Sequence, residues 1–132
     1  IMKQQMAGRI LLMGSDQSLV GKGFSAAYGM TKGAIAQLTK STAVDYAEFN
    51  INVNCICPGT VETPLMHNAI GKFENISGMS KQEILTFLEE AQPIKRVGRP
   101  EEIANVACFL LSNENSFMTG ALVPVDGGYT CQ

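Results

Sequence analysis

Metal-binding residues are scarce in this sequence. It has one histidine, His67, and four cysteines, Cys55, Cys57, Cys108 and Cys131, with no C-x-x-C pair. That composition offers no ligand set for a structural zinc site, and no metal is expected. Cys55 and Cys57 stand two apart in a strand-like run and point alongside each other, a poor geometry for a disulfide. Free thiols imply a reducing compartment, hence the cytoplasm, and leave the Asn75-Ile76-Ser77 sequon without consequence. An excess of positive charge is also missing. Ten Lys and Arg against twelve Asp and Glu give a formal net charge of −2, with no basic stripe for nucleic acid. No apolar run approaches the length of a membrane span, no signal peptide is expected, and no internal repeat or low-complexity stretch is seen.

What is present is an ordinary globular mix, 45% hydrophobic and 17% charged, in 132 residues. That length suits one domain, not two. The chain begins at Ile1, and residues 1–6 read as the tail of a helix closed by Gly8, which points to a piece of a longer polypeptide. Residues 9–14 form a nearly continuous apolar run, as in a parallel strand buried on both faces. Residues 15–25 are Ser- and Gly-rich and read as loop. A long helix is expected over 26–49, with Ile35, Leu38 and Ala43 inward and Asn50 ending it. Residues 51–57 alternate as a second strand, broken by Pro58-Gly59. A short helix fits 64–70. Ser80 with Glu83 has capping-box spacing and opens a helix whose apolar face is Ile84, Leu85, Leu88 and Ala91. Pro100-Glu101-Glu102 opens another, with Ile103, Val106, Ala107, Leu110 and Leu111 inward. Residues 121–125 form a last strand, and Pro124 argues for an edge position. Strands joined by helical crossovers give an α/β fold with a parallel sheet.

One pair carries chemistry. Tyr28 and Lys32, four apart, share a helix face one turn apart. A phenol has a reference pKa of about 10. A fixed cation about 4 Å away favours the phenolate by roughly 4 kcal/mol at an effective dielectric near 20, before desolvation. Such a tyrosine exchanges protons near neutral pH. Alone, Tyr-x-x-x-Lys is most often surface decoration. Ser15, just past the first strand and 13 positions before Tyr28, lies where ligands of parallel sheets bind. Read singly it is a loop serine or a cap; the spacing singles it out. Pro58, Gly59, Val61 and Thr63 leave the second strand at the same edge. There, backbone amides and the Thr63 hydroxyl are expected to be free for a flat, amide-bearing ring. Residues 64–92 follow as a lid-like insertion.

These residues give a chain that resembles the C-terminal, active-site half of the short-chain dehydrogenase/reductase family. The resemblance rests on Gly8-Arg9-Ile10; Ser15; Tyr28-x-x-x-Lys32 with Gly33-Ala34; Asn52-Val53-Asn54; Pro58-Gly59-x-x-x-Thr63; Gly98-Arg99-Pro100-Glu101-Glu102-Ile103-Ala104; Thr119-Gly120; and Val125-Asp126-Gly127-Gly128. Each motif is weak singly, but together they span nearly the whole chain in the family's order. The resemblance implies half of a doubly wound Rossmann-type sheet, with three strands and flanking helices here. It implies an NAD- or NADP-dependent enzyme interconverting a secondary alcohol and a carbonyl. In it Tyr28 is the acid/base, Lys32 lowers the Tyr28 pKa and bonds the nicotinamide ribose, and Ser15 holds the substrate oxygen. Pro58, Gly59, Val61 and Thr63 hold the nicotinamide carboxamide, and Asn54 is structural. The long helix and the final helix-plus-strand imply a homodimer or homotetramer.

The family's glycine-rich phosphate loop, its Asn-Ala-Gly segment and its catalytic-helix asparagine have no counterpart here. Gly21-x-Gly23 is no substitute, because it follows a loop and lacks the third glycine and the acidic partner. The choice between NAD and NADP is therefore unreadable, and these residues alone are expected to be inactive. The competing reading is a non-catalytic binding or oligomerisation fragment. Ser15-Asp16-Gln17 and the Pro58–Thr63 turn look like members acting on small hydroxy or sugar acids. Asp16 and Gln17 are then substrate contacts, and the substrate carboxylate needs a cation: Lys95, Arg96 or Lys22. Asp16 is otherwise a turn former, and His67 a surface residue of the lid.

Overall fold

The computed structural model describes residues 1–132. Its frame is a three-stranded parallel sheet in the order β1-β2-β3, formed by Gly8–Met13, Ile51–Pro58 and Leu122–Val125. Five helices accompany it: α1 (Met2–Gln5), α2 (Ala26–Tyr46), α3 (Pro64–Ser77), α4 (Lys81–Glu90) and α5 (Pro100–Leu111). β2 is central and buried from Ile51 to Cys57, which explains its apolar composition. Its register pairs Gly8 with Ile51 through Met13 with Ile56 on one side, and Cys55 with Leu122 through Pro58 with Val125 on the other. Pro124 lies on the edge strand, where its missing N–H costs no ladder bond. None of the helices is long and apolar enough to cross a membrane.

α2 packs on β2 through small residues. Ala36, Thr39 and Ala43 are buried, and Ala43 clusters with Ile51 and Val53. Small side chains let the helix backbone approach the sheet closely. Thr39 Oγ1 donates to the Ile35 carbonyl at 2.8 Å, so its burial leaves no orphan. Leu38, expected inward, is 54% exposed, and Leu111 on α5 is half-exposed as well. Asn54 fastens β2 to the segment entering β3: its Nδ2 donates to Met118 O at 2.9 Å and its Oδ1 accepts from Ala121 N at 3.0 Å. It is fully buried and satisfied, as a structural asparagine should be.

Three boundaries differ from the sequence reading. α1 is closed by Met6 in the left-handed region, φ 51, and Gly8 already belongs to β1. The 15–25 loop contains a single 3-10 turn, Asp16–Ser18, with Ser15 as its cap. The helix expected over 64–70 continues to Ser77 and ends at Gly78 in the left-handed region. The Ser80–Glu83 capping box forms as expected, with both reciprocal bonds made. The lid-like stretch is thus a helical pair, α3 and α4, packed through Met66, Ile70 and Ile84.

Candidate active site

Parallel strands bring three exits to one edge of the sheet: Ser15 after β1, Gly59 after β2 and Asp126 after β3. Two glycines make this crowding possible. A Cβ on Gly14 would lie 2.6 Å from Cys55 Sγ, and one on Gly59 would lie 2.8 Å from the Asp126 Cα. A cavity of about 850 Å³ opens above this edge, between it and the α3–α4 pair. Ser15, Asp16, Gln17, Lys22, Tyr28, Lys32, Pro58, Gly59, Val61 and Thr63 all line it. Residues scattered over nearly fifty positions therefore meet in one space.

Tyr28 stands in the first turn of α2 and is 44% exposed, open to a ligand. The Lys32 ammonium lies 5.5 Å from the centre of its ring and donates to the Met13 carbonyl at 3.0 Å. That bond ties the helix to the end of β1 and leaves the ammonium two further protons. Ser15 is buried, with its Oγ donating to Asp16 Oδ1 at 2.8 Å and accepting from Gln17 N at 3.3 Å. Asp16 is 3% exposed, and its second oxygen takes a 2.7 Å ion pair from Lys22. The Lys22 ammonium also rests 4.2 Å over the Tyr129 ring, a cation–π contact from the chain's final turn. Gln17 Oε1 accepts from Ser25 Oγ at 2.8 Å.

Two expectations are corrected. The Thr63 hydroxyl is not free. It caps α3, accepting from Met66 N at 3.3 Å and donating to Val61 O at 3.3 Å. Gly59 N–H is likewise used, bonding Val125 O at 3.1 Å, whereas the Thr60 and Val61 amides carry no hydrogen bond. Lys95 does not reach the cavity. Its ammonium donates to Glu90 O at 2.8 Å, at the exposed C-terminal end of α4. Arg96 is bound to Glu102 by two bonds of 2.7 and 2.8 Å. Of the three cations considered, Lys22 alone lines the cavity.

The sequence reading missed the opposite wall. Leu65, Ala69 and Phe73 from α3 and Phe87 and Leu88 from α4 face the cavity. The signal was present, since 65, 69 and 73 recur every fourth position, one helix face. Cys55 and Cys57 lie beneath the floor with sulfurs 3.8 Å apart, both fully buried. Burial, then the neighbouring Cys55, pushes the Cys57 thiol up to about 12, so it stays protonated.

Comparison with known proteins bears on the family and the fold. A family model described as "Enoyl-(Acyl carrier protein) reductase" matches residues 1–130. A crystal structure of a short chain dehydrogenase family protein from Francisella tularensis is 50% identical, with TM-score 0.90, covering 93% of this chain and 51% of that one. The structure of ElxO with NADP bound is 30% identical, with TM-score 0.85, covering 99% of this chain and 50% of the other. D-beta-hydroxybutyrate dehydrogenase of Rhizobium meliloti is 35% identical over 132 residues, 99% of this chain and 51% of that protein. The chain spans about half the length of the curated relatives it matches.

Proposed function

The chain belongs to the short-chain dehydrogenase/reductase family, and from that premise we propose that the intact protein is a nicotinamide-dinucleotide-dependent oxidoreductase interconverting a secondary alcohol and a carbonyl. The observation that carries this reading is the meeting of Tyr28, Lys32 and Ser15 on one cavity at the C-terminal edge of a parallel sheet. The unbonded Thr60 and Val61 amides at that edge fit the carboxamide of a nicotinamide, and the spare Lys32 protons fit its ribose hydroxyls. The dinucleotide, NAD or NADP, would donate the hydride in reduction and accept it in oxidation.

The chain's own part is proton transfer and positioning. In reduction the Tyr28 Oη gives its proton to the substrate oxygen; in oxidation it takes that proton back. Lys32 places its side-chain nitrogen beside the ring, 5.5 Å from its centre. Ser15 holds the substrate oxygen. The apolar wall of Leu65, Phe73 and Phe87 excludes water from the reacting carbon. Thr63 supports the cofactor by fixing the Val61 turn through its cap.

For substrate, the reading is a small hydroxy acid or sugar acid, with Lys22 as the cation that meets its carboxylate and Gln17 as a polar neighbour. One ammonium proton is committed to Asp16, which leaves others for the ligand. The assembly is a homodimer or homotetramer. The test is a screen of the intact protein with NAD and NADP against hydroxy acids, sugars and simple alcohols, with Lys22→Met alongside. Turnover of hydroxy acids with KM raised at least tenfold in Lys22→Met supports the reading. Preference for neutral alcohols, unchanged in that variant, removes the hydroxy-acid assignment.

A further inference from the structure

We propose that Tyr129 is a positioning residue for the substrate carboxylate: the face of its ring holds the Lys22 ammonium at the cavity, ready for an acidic ligand. The inference rests on the hydroxy-acid reading, with Lys22 as the cation, and adds the residue that aims that cation.

A lysine ammonium is a compact charge on a flexible four-carbon stem. Lys22 stands in the irregular stretch between the Asp16–Ser18 turn and α2. Its neighbours Gly21 and Gly23 are exposed, and a Cβ on either would meet nothing within 4 Å. Packing of the loop therefore does little to place the ammonium, and its own contacts decide. Asp16 Oδ2 is 2.7 Å away, and the centre of the Tyr129 ring 4.2 Å. One ion pair fixes the nitrogen's distance from one oxygen and leaves it free to swing about that oxygen. The ring closes off part of the swing, because an aromatic face attracts a cation. The Lys22 side chain is 28% exposed, so this contact is partly shielded from water. A second carboxylate could hold the ammonium as well, but its negative charge would repel the substrate. The ring holds it without adding charge. Asp16 takes one of the three ammonium protons, and protons remain for the ligand.

The ring is itself held from two sides. Tyr129 opens the 3-10 turn Tyr129–Cys131, behind Gly127 and Gly128, whose φ values of 62 and 87 suit glycine. Asp126, buried just past β3, accepts from Gly128 N at 3.0 Å, Thr130 N at 2.9 Å and Thr130 Oγ1 at 2.6 Å. Ile94 N donates to Gly127 O at 3.0 Å, and Gln132 Nε2 to Ala91 O at 3.0 Å. The turn is thus seated on the end of the sheet and on the segment that follows α4. A cation on a loosely packed loop is aimed by an element that the loop does not carry.

The experiment measures kcat and KM of the intact protein for 3-hydroxybutyrate, for gluconate and for 3-hydroxybutyramide, the uncharged counterpart of the first. An inhibition constant replaces KM for a probe that binds without turnover. Tyr129→Leu removes the aromatic face and keeps apolar bulk; Tyr129→Met replaces it if the leucine variant does not fold. The KM of the bound acid is expected to rise about fivefold, the size of a partly shielded cation–π contact. Both kcat and the constant for the amide should stay within twofold. Tyr129→Phe keeps the ring and should restore the wild-type KM. In the Lys22→Met background Tyr129→Leu should add nothing, because no cation is left to aim. An equal rise for acid and amide marks a structural role and overturns the proposal. So does a Tyr129→Phe variant that behaves like Tyr129→Leu, or a further rise in the Lys22→Met background. If Lys22→Met weakens the acid alone and Tyr129→Leu leaves it unmoved, this inference falls and the hydroxy-acid reading stands. If Lys22→Met acts on acid and amide alike, or neither acid binds, the hydroxy-acid reading falls and takes this inference with it.

Discussion

The Ser18 hydroxyl donates to the Lys32 carbonyl oxygen over 2.9 Å. The Ser18 Oγ in turn accepts the Ser15 N–H at 3.2 Å. One side chain thus fastens the turn that presents Ser15 to the helix that presents Tyr28 and Lys32, across fourteen positions of sequence. Ser18→Ala removes both bonds at a stability cost of about 1 kcal/mol. Small displacements of catalytic groups cost up to about a hundredfold in rate. The expected result is a kcat reduced at least tenfold with dinucleotide affinity nearly unchanged. Steady-state kinetics and a dinucleotide titration check it; an unaltered kcat shows that Ser18 positions nothing.

The connection between α4 and α5 is held by a carboxylate. Glu102 accepts two bonds from Arg96 and one from the Arg99 amide, and these, the Arg96 bonds first, hold its carboxyl down to about 2. A carboxyl lowered in the folded state adds stability above its ordinary value of 4.5, lost as pH falls from 4.5 toward 2. Glu102→Gln should therefore be less stable than the wild type at pH 7 and indistinguishable from it near pH 2. Denaturant midpoints across that range decide it. A constant gap at all pH values would mean that the charge is irrelevant.

The buried thiols make the opposite prediction at alkaline pH. Cys57 is held near 12 against an ordinary 9.0, chiefly by burial. Its folded form keeps the proton that the unfolded form loses. The stability linked to it is complete below pH 9 and disappears as pH rises toward 12. Cys57→Ala should flatten that alkaline loss. In the folded protein iodoacetamide should label exposed Cys131 well before Cys55 or Cys57. Equal labelling rates, read by mass spectrometry, would contradict the burial argument.

The outer face of α2 is apolar without an internal partner: Met30, Leu38 and Val44 are 72%, 54% and 79% exposed. Solvation of such a stripe is unfavourable, and a second copy of the chain would bury it. Leu38→Glu should lower the oligomer mass of the intact protein, while a monomer would tolerate the change within about 0.5 kcal/mol. Sedimentation or native mass separates the cases. An unchanged mass moves the interface elsewhere.

Much of this arrangement was legible in the sequence because strands and caps are local. Residues 9–14 read as a strand because a nearly continuous apolar run suits a parallel strand buried on both faces, residues 51–57 because they alternate, and the Ser80–Glu83 box is two side chains in one turn. Leu38 and Leu111 were misplaced for a physical reason: a helix with two apolar faces has no single inward side, and what packs against the sheet here is the small-residue row Ala36, Thr39 and Ala43. The Thr63 hydroxyl was expected free, yet with Pro64 after it the residue sits at a helix start, where a cap is the ordinary use of a threonine. Lys95 and Lys22 could not be ranked beforehand, because the direction of a loop side chain leaves no periodic trace. The fold turns Lys22 into the cavity and Lys95 away from it.

Proton transfer by Tyr28 is the step on which the proposed function turns. The most direct measurement is the turnover of Tyr28→Phe in the intact protein, with dinucleotide binding measured on the same sample. Turnover is expected to fall at least a thousandfold, the upper part of the range for losing a general acid, while the dinucleotide dissociation constant changes less than about threefold. Substantial turnover with dinucleotide binding intact would contradict it.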